Sequence, residues 1–91
     1  MRAVSAGMFA RSLAGHDKGR LYLICGTDGT YLLLADGRTR TAANPKKKKI
    51  RHAQVDFTIF PEIEEKLSSG QELTDQEIRA AVRKKARGGE V

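Results

Sequence analysis

Apolar and polar residues alternate with a period of two over much of the first sixty residues, which predicts short β-strands. Two Asp-Gly pairs, Asp28-Gly29 and Asp36-Gly37, separate apolar runs, and Asp-Gly favours a tight hairpin because both of its residues tolerate positive φ. The pattern therefore predicts a meander of antiparallel strands. The predicted strands cover residues 7–13, 20–26, 31–35, 38–42 and 51–55.

Five short strands are too few for a β-sandwich, so we expect the sheet to close into a small, twisted SH3-like barrel. One face of each strand then fills the interior. A register shift of one residue exchanges the two faces, so Phe9, Tyr22, Ile24 and Leu33 form the alternative interior set. The first-choice interior residues are Met8, Ala10, Leu21, Leu23, Leu32, Leu34, Ala53 and Val55.

The composition changes after residue 60, where two short helices are predicted. Pro61 suits the first turn of a helix, and Gly70 can end it. Thr74 and Glu77 have the spacing of a capping box, so a second helix is expected from residue 75 to about 87. The fold is therefore mostly β with C-terminal α structure. Its two predicted units are a barrel at residues 1–60 and a helical appendage at residues 61–91.

The charge is distributed unevenly along the chain. The net charge is +6, and residues 1–60 carry eleven Lys and Arg against four Asp and Glu. This balance favours a polyanionic partner, either nucleic acid or an anionic membrane surface. Membrane binding needs an amphipathic or spanning helix beside the charge, whereas the basic segments here lie among turn signals and strand-like alternation. We therefore expect nucleic acid as the partner and no membrane contact.

Targeting signals and cysteine usage indicate the compartment. The chain has no run of about 18 apolar residues, and Ser5 and Gly7 interrupt the segment where a signal peptide needs its apolar core. We therefore expect a cytoplasmic protein. The single cysteine, Cys25, cannot form an internal disulfide and lies in mid-strand, a position typical of a small buried thiol.

A charged turn bracketed by two glycines joins the first two predicted strands. Gly15 and Gly19 allow left-handed backbone angles and the close approach of another polymer, and Lys18 and Arg20 add positive charge at the same place. The stretch therefore predicts a loop that faces nucleic acid, and a solvated turn without a ligand is the alternative. Its six residues are Gly15, His16, Asp17, Lys18, Gly19 and Arg20.

A run of four lysines follows Pro45 and forms the second basic feature. The crowded charges repel one another, so phosphates that replace their counterions lower the free energy of the run. The alternatives are a solubilising loop or a strand edge that lysine protects from aggregation. Arg38 and Arg40 alternate onto one face of the predicted fourth strand and extend this basic surface. The run and the predicted site residues that follow it are Lys46, Lys47, Lys48, Lys49, Arg51 and His52.

Lysine and arginine differ in what they recognise. Lysine offers a point charge to backbone phosphates, whereas the planar arginine fork can also pair with or stack on a base. We therefore expect the lysines to anchor RNA and the arginines to discriminate among RNAs. RNA is favoured over DNA because no predicted helix or ribbon is shaped for a B-form major groove. Two further contacts stay open, from the basic residues 83–87 and from stacking of Tyr22 or Tyr31 on a base.

Together these motifs resemble the small bacterial KOW-domain RNA-binding proteins, which are similar to a KOW-containing large-subunit ribosomal protein of archaea and eukaryotes. The glycine-bracketed loop matches the KOW loop, and residues 36–40 match the Asp-Gly-Arg-x-Arg turn of that group. Residues 45–48 with His52 match its Pro-Lys-x-Lys segment and histidine, and residues 74–78 look like the start of its C-terminal helix. The resemblance implies an SH3-like barrel, rRNA binding, and association with the ribosome or its assembly. His16 departs from the basic residue that KOW loops often carry.

Two other functional classes are considered. An SH3-like module can bind protein instead of RNA, and Phe57, Ile59 and Phe60 offer such a neighbour an apolar patch unless they pack the helices. Catalysis is not expected, because Cys25 has no recognisable histidine partner and the His and Cys residues lack the spacing of a zinc site. We therefore expect no enzymatic activity, no cofactor and no metal, and a monomer when the chain is free of RNA.

Overall fold

The sheet and the helices occupy successive parts of the chain. The structure, a computed structural model, describes residues 3–88 and contains a five-stranded antiparallel sheet followed by two helices, as predicted. The predicted units at residues 1–60 and 61–91 extend beyond the described residues at the two chain ends. A single 3₁₀ turn, Ile50–His52, connects the last two strands. The elements are β1 (Phe9–Ser12), β2 (Leu21–Asp28), β3 (Tyr31–Ala35), β4 (Lys46–Lys49), β5 (Ala53–Asp56), α1 (Pro61–Ser68) and α2 (Asp75–Ala86).

The strand order in the sheet is β4-β3-β2-β1-β5, so β4 and β5 are the edge strands. β3 has the bounds that the two Asp-Gly pairs predicted, and β1, β2 and β5 overlap predicted strands. The predicted fourth strand at residues 38–42 is wrong, because this stretch is a turn and the lysine run forms β4. Residues 46–49 pair one to one with residues 31–34, and this tertiary pairing outweighs the low strand propensity of lysine.

A contact between β4 and β1 shows that the sheet curves. The Lys48 ammonium donates a hydrogen bond to Ser12 Oγ at 2.8 Å. In a flat sheet β4 and β1 would lie about 14 Å apart, which is farther than a lysine side chain reaches. The register of β2 is irregular between Ile24 and Gly26, and such a bulge increases strand twist. Within residues 3–88 no ladder pairs β4 with β5, so the sheet is open at these edges.

Two hydrophobic clusters lie on opposite faces of the sheet, and β2 contributes to both. Tyr22 and Ile24 belong to the inner, concave cluster, whereas Leu23 belongs to the outer cluster. The prediction that Leu21 and Leu23 face the interior is therefore wrong. Every residue from 21 to 25 is apolar, so alternation cannot select a face, and the pairing of Tyr22 with Ala10 decides it. The predicted interior residues that are confirmed are Met8, Ala10, Leu32, Leu34, Ala53 and Val55.

The helices cover the outer cluster. The predicted capping box is confirmed, since Glu77 N–H donates to Thr74 Oγ1 at 3.1 Å and Thr74 N–H donates to Glu77 Oε1 at 2.8 Å. Phe57, Ile59 and Phe60 pack against the clusters, so they fill the core rather than forming an exposed patch. In the described part of the chain, no helix has the length and apolar character needed to cross a membrane. The outer cluster comprises Phe9, Leu23, Ala35, Phe60, Ile63, Ile78 and Ala81.

The N-terminus of α2 fixes the connection between β3 and β4. Gly37 has φ +80°, and a Cβ at this position would overlap the Asp75 carbonyl oxygen, so glycine is required here. The Arg79 guanidinium donates to the Gly37 carbonyl oxygen at 3.0 Å. Ala42 N–H donates to Asp75 Oδ1 at 2.7 Å. These contacts hold residues 36–42 against the helix.

Candidate nucleic-acid interface

Asp17 anchors the glycine-bracketed loop to the concave face of the sheet. Its Oδ1 accepts hydrogen bonds from Ser12 Oγ at 2.9 Å and from the Lys48 ammonium at 3.0 Å. Its Oδ2 accepts a hydrogen bond from the Tyr22 hydroxyl at 2.8 Å and lies 3.1 Å from Lys46 Nζ. The Asp17 side chain is only 10% exposed. Asp17 therefore shapes the loop, because its carboxylate is committed to partners within the chain.

Two opposing effects set the pKa of the Asp17 carboxyl. Burial is the largest single effect and raises the pKa, but hydrogen bonds from Tyr22, Lys48, Ser12 and Lys46 act together in the other direction. They hold the pKa of Asp17 well below its usual range, so the group is ionised at neutral pH. Burial, together with the hydrogen bond to Asp17, raises the pKa of Tyr22 to about 12. Tyr22 is thus a buried donor and is not available to stack on a base.

The backbone of the loop is a compact turn. Gly15 and Gly19 have φ values of +87° and +90°. The positive φ expected of the two glycines is therefore confirmed. Gly19 N–H donates to the Ser12 carbonyl oxygen at 2.8 Å, and Arg20 N–H donates to the Asp17 carbonyl oxygen at 2.8 Å. Amides at the C-terminal end of the loop are therefore already bonded. The positive side chains, rather than these amides, are what the loop presents to a ligand.

The lysine run is divided between the two faces of β4. Lys46 and Lys48 lie on the inner face and pair with Asp17, and the Lys48 side chain is only 9% exposed. Lys47 and Lys49 lie on the outer face, beside the ring of Tyr31. The lysine run was expected to lie between the predicted strands at residues 38–42 and 51–55, and it forms a strand instead. Because β4 is an edge strand, the alternative of an edge protected by lysine fits the structure.

A second carboxylate organises the turn that follows β3. Asp36 Oδ1 accepts hydrogen bonds from the backbone N–H groups of Arg38 at 2.9 Å and Arg40 at 3.0 Å. Burial is the largest single effect on the pKa of Asp36 and raises it, but the two backbone donors and the Thr39 hydroxyl outweigh burial and lower the pKa. Arg38 and Arg40 were expected to alternate along a strand, and they lie instead on one tight turn. The Arg38 side chain is exposed, and Arg40 is half-buried.

Three separate segments meet around the glycine-bracketed loop. The Arg20 guanidinium donates to Thr39 Oγ1 at 3.1 Å and lies 3.6 Å from Asp36 Oδ2, which joins the loop to the turn after β3. Leu13 N–H donates to the His52 carbonyl oxygen at 2.9 Å, which joins the loop to the 3₁₀ turn. We name this the basic loop surface. It consists of residues 15–20, 36–40 and 50–52.

The cations of the basic loop surface fall into two groups. Lys18, Arg38, Arg40 and Arg51 have no carboxylate partner among residues 3–88, whereas Arg20 is shared with Asp36. The histidines predicted for the site, His16 and His52, are exposed residues in two of its three segments. The free cations are therefore the groups best placed to meet an external anion.

Several residues that the sequence predicted, or left open, as RNA contacts lie away from the basic loop surface. Lys47 and Lys49 are on the outer face of β4. At the C-terminal end of α2, Lys85 pairs with Asp56 at 2.7 Å, and Asp56 lies opposite Phe9, at the far end of β1 from the loop. Residues 83–87 are therefore separate from the loop.

Sequence reasoning missed the neutral groups that build the site. Ser12, Tyr22 and Thr39 each hydrogen-bond to a carboxylate of the loops. The one available signal was the presence of Asp17 and Asp36 inside basic segments, since a carboxylate there needs donors. Their partners could not be named, because Lys46 and Lys48 are about thirty residues away from Asp17 in the chain.

Cys25 is a partly buried thiol of β2. Burial, with a smaller contribution from the charge of Asp75, raises the pKa of the Cys25 thiol to about 11, so the thiol is protonated at neutral pH. Within residues 3–88, no cluster of three or more His, Cys, Asp and Glu side chains is arranged to hold a metal ion. No protein-family model matches the chain, and no curated protein matches it in sequence.

Proposed function

We propose that the protein is a non-catalytic RNA-binding protein and that its basic loop surface contacts the phosphate backbone of structured RNA. The observation that carries the proposal is the meeting of three basic segments around one loop. Four cations of this surface, Lys18, Arg38, Arg40 and Arg51, have no carboxylate partner among the described residues. Positive charge concentrated at one place attracts a polyanion more strongly than the same charge spread over the molecule.

The resemblance to KOW-domain proteins supports rRNA as the ligand, bound in the cytoplasm at the ribosome or during its assembly. The same resemblance and the curvature of the sheet support the finer fold assignment, an SH3-like barrel. Two connections favour this closure. The Lys48 ammonium bridges β4 to β1 through Ser12, and the three-residue turn Ile50–His52 links the edge strands directly.

Within this proposal, the charged residues have two roles. Asp17 and Asp36 hold the two loops in place, and Lys46 and Lys48 serve mainly as the counterions of Asp17. The free cations then meet the RNA, with Lys18 as a point charge for phosphate and the arginines as groups that also discriminate among RNAs. Anchoring by the lysine run as a whole is therefore not part of the proposal.

Salt dependence tests whether phosphate contacts dominate the binding. If four cations each contact one phosphate of a duplex stem, a slope near −0.9 per contact predicts roughly a 150-fold loss of affinity for a fourfold rise in salt. The measurement is fluorescence anisotropy with a labelled hairpin fragment of rRNA over that salt range. An affinity that does not change with salt would contradict the proposal.

A pair of matched variants tests where the RNA binds. The variant Arg38→Ala with Arg51→Ala removes two free cations from the basic loop surface. The variant Arg83→Ala with Arg87→Ala removes the same charge from exposed positions near the end of α2. We expect about a tenfold loss of affinity for the first variant and less than about a twofold loss for the second. Equal losses would show that only the net charge matters.

A protein neighbour at the same surface is the second candidate function. Leu13 and Ile50 are the exposed large apolar side chains of the described residues, at 47% and 36% exposure. Ile50 belongs to the basic loop surface, and Leu13 lies just before its first segment in the chain. Apolar groups beside cations are also typical of protein interfaces. A pull-down from cell lysate that survives thorough nuclease treatment, and is lost in Leu13→Ser, would favour this candidate over RNA.

A further inference from the structure

The outer face of the β3–β4 pair carries an aromatic ring between two lysines. In the register of the pair, Tyr31 lies opposite Lys49 and Leu33 lies opposite Lys47. Lys47 Nζ is 5.4 Å and Lys49 Nζ is 6.0 Å from the centre of the Tyr31 ring. We name these four residues the Tyr31 face. It points away from Lys46 and Lys48, which lie on the other side of the same strand.

The residues of the Tyr31 face are not used by the core. Neither hydrophobic cluster includes Tyr31 or Leu33, and both side chains are partly exposed. The helices cover a different part of the sheet, around Phe9, Leu23 and Ala35. An aromatic side chain at a solvent boundary, beside positive charge, is therefore available to a ligand.

The charges of the Tyr31 face are also available. Lys47 pairs with Asp28 at 3.0 Å, but both side chains are more than half exposed, at 56% and 63%. Such a pair is screened by solvent and is easily exchanged for another anion. Lys49 has no carboxylate partner among residues 3–88.

A nucleotide matches this combination of groups. Every base has a π-face that can stack on an aromatic ring, and such stacking is stronger than an exposed contact between an ammonium and a ring. A base can therefore replace the lysines above Tyr31. The two lysines, whose Cα atoms lie about 6.7 Å apart along the strand, are then free to meet successive phosphates.

We propose that the Tyr31 face binds an unpaired nucleotide of RNA, with its base on the Tyr31 ring and its flanking phosphates on Lys47 and Lys49. The proposal rests on the proposed function and specifies the RNA further. The basic loop surface has cations but no Phe, Tyr or Trp, so it suits a backbone of any sequence, whereas the Tyr31 face suits a base. The favoured ligand is a folded RNA in which unpaired nucleotides adjoin a helix.

Two RNA probes separate the two surfaces. The first is an oligoadenylate of about six nucleotides, which is single-stranded, and the second is a blunt RNA duplex of two strands, which has no unpaired nucleotides. We expect Tyr31→Leu to weaken oligoadenylate binding about tenfold and Tyr31→Phe to weaken it less than about twofold, because phenylalanine keeps the ring. Both variants are expected to bind the duplex as the unchanged protein does.

NMR of the unchanged protein gives a readout that does not depend on the folding of a variant. The chain has five Phe and Tyr residues and no Trp, so the ring protons of Tyr31 can be assigned. A stacked base shifts these protons upfield, and we expect this shift on addition of oligoadenylate while those of the buried Tyr22 stay in place.

Each outcome of these experiments decides a different point. If oligoadenylate leaves the Tyr31 protons unshifted and the duplex still binds, this inference is overturned and the proposed function stands. If neither RNA binds, both are overturned. If an acidic peptide shifts the Tyr31 protons and oligoadenylate does not, the Tyr31 face binds protein instead of a nucleotide.

Discussion

The two faces of β4 carry the same type of residue in different settings. On the inner face, Lys46 and Lys48 meet Asp17, whose side chain is 10% exposed and also bonds to Ser12 and Tyr22. On the outer face, Lys47 meets Asp28, whose side chain is 63% exposed. The surroundings of the carboxylate, rather than the charge of the lysine run, therefore decide whether a lysine supports the fold or is free to bind.

Removing the two carboxylates gives the largest expected difference between the faces. Asp17→Ala leaves two ammonium groups and the Tyr22 hydroxyl without their acceptor, so we expect a loss of about 3 kcal/mol in the free energy of unfolding. Asp28→Ala breaks only an exposed pair, and we expect a change within about 0.5 kcal/mol. Urea unfolding measures both, and equal losses would abolish the distinction between the faces.

Removing one lysine from each face gives a smaller difference. Lys48→Ala deletes the ammonium that donates to Ser12, Ala14 and Asp17, and the expected loss of stability is about 2 kcal/mol. Lys47→Ala is its matched control, with an expected change within about 0.5 kcal/mol. Thermal unfolding at one salt concentration compares them. A larger loss of stability for Lys47→Ala than for Lys48→Ala would mean that the stabilising contact lies on the outer face, which would contradict this account.

Local signals in the sequence predicted part of this arrangement. The bounds of β3 followed from the two flanking Asp-Gly pairs, and the start of α2 followed from Thr74 and Glu77, because each signal lies within a few residues of what it determines. The glycine conformations at Gly15 and Gly19 were predictable for the same reason.

Contacts between distant parts of the chain could not be predicted in this way. The lysine run becomes a strand only through its register with β3, and lysine itself disfavours strands. The inner face of β2 depends on pairing with β1, because the apolar run there has no alternation. The role of Asp17 depends on lysines that the fold, and not the local sequence, brings to it.

The pH dependence of stability tests the contacts of Asp17 on the inner face of β4 without substitution of a lysine. The hydrogen bonds of Asp17 keep its pKa in the folded protein below that in the unfolded chain, so this contribution to stability is present at neutral pH. It is lost as the pH falls from about 4 toward the lowered pKa. Asp17→Asn is expected to show a flatter loss of stability over this range in urea titrations. An unchanged slope would contradict the account of Asp17.

The two tyrosines give the smallest expected difference. Tyr22→Phe removes one hydrogen bond to Asp17, and we expect a loss of about 1 kcal/mol. The Tyr31 hydroxyl has no hydrogen-bond partner among residues 3–88, so Tyr31→Phe is expected to leave the stability unchanged within about 0.5 kcal/mol. Urea unfolding of both variants checks this. Equal losses of stability in the two variants would mean that the hydrogen bond from Tyr22 to Asp17 does not stabilise the fold.

Backbone NMR during titration with a blunt rRNA hairpin tests the proposal that RNA binds where the three basic segments meet. We predict that amide signals of residues 15–20, 36–40 and 50–52 shift together and return when salt is raised. Shifts confined to residues 83–87, or the absence of any shift at low salt, would contradict the claim.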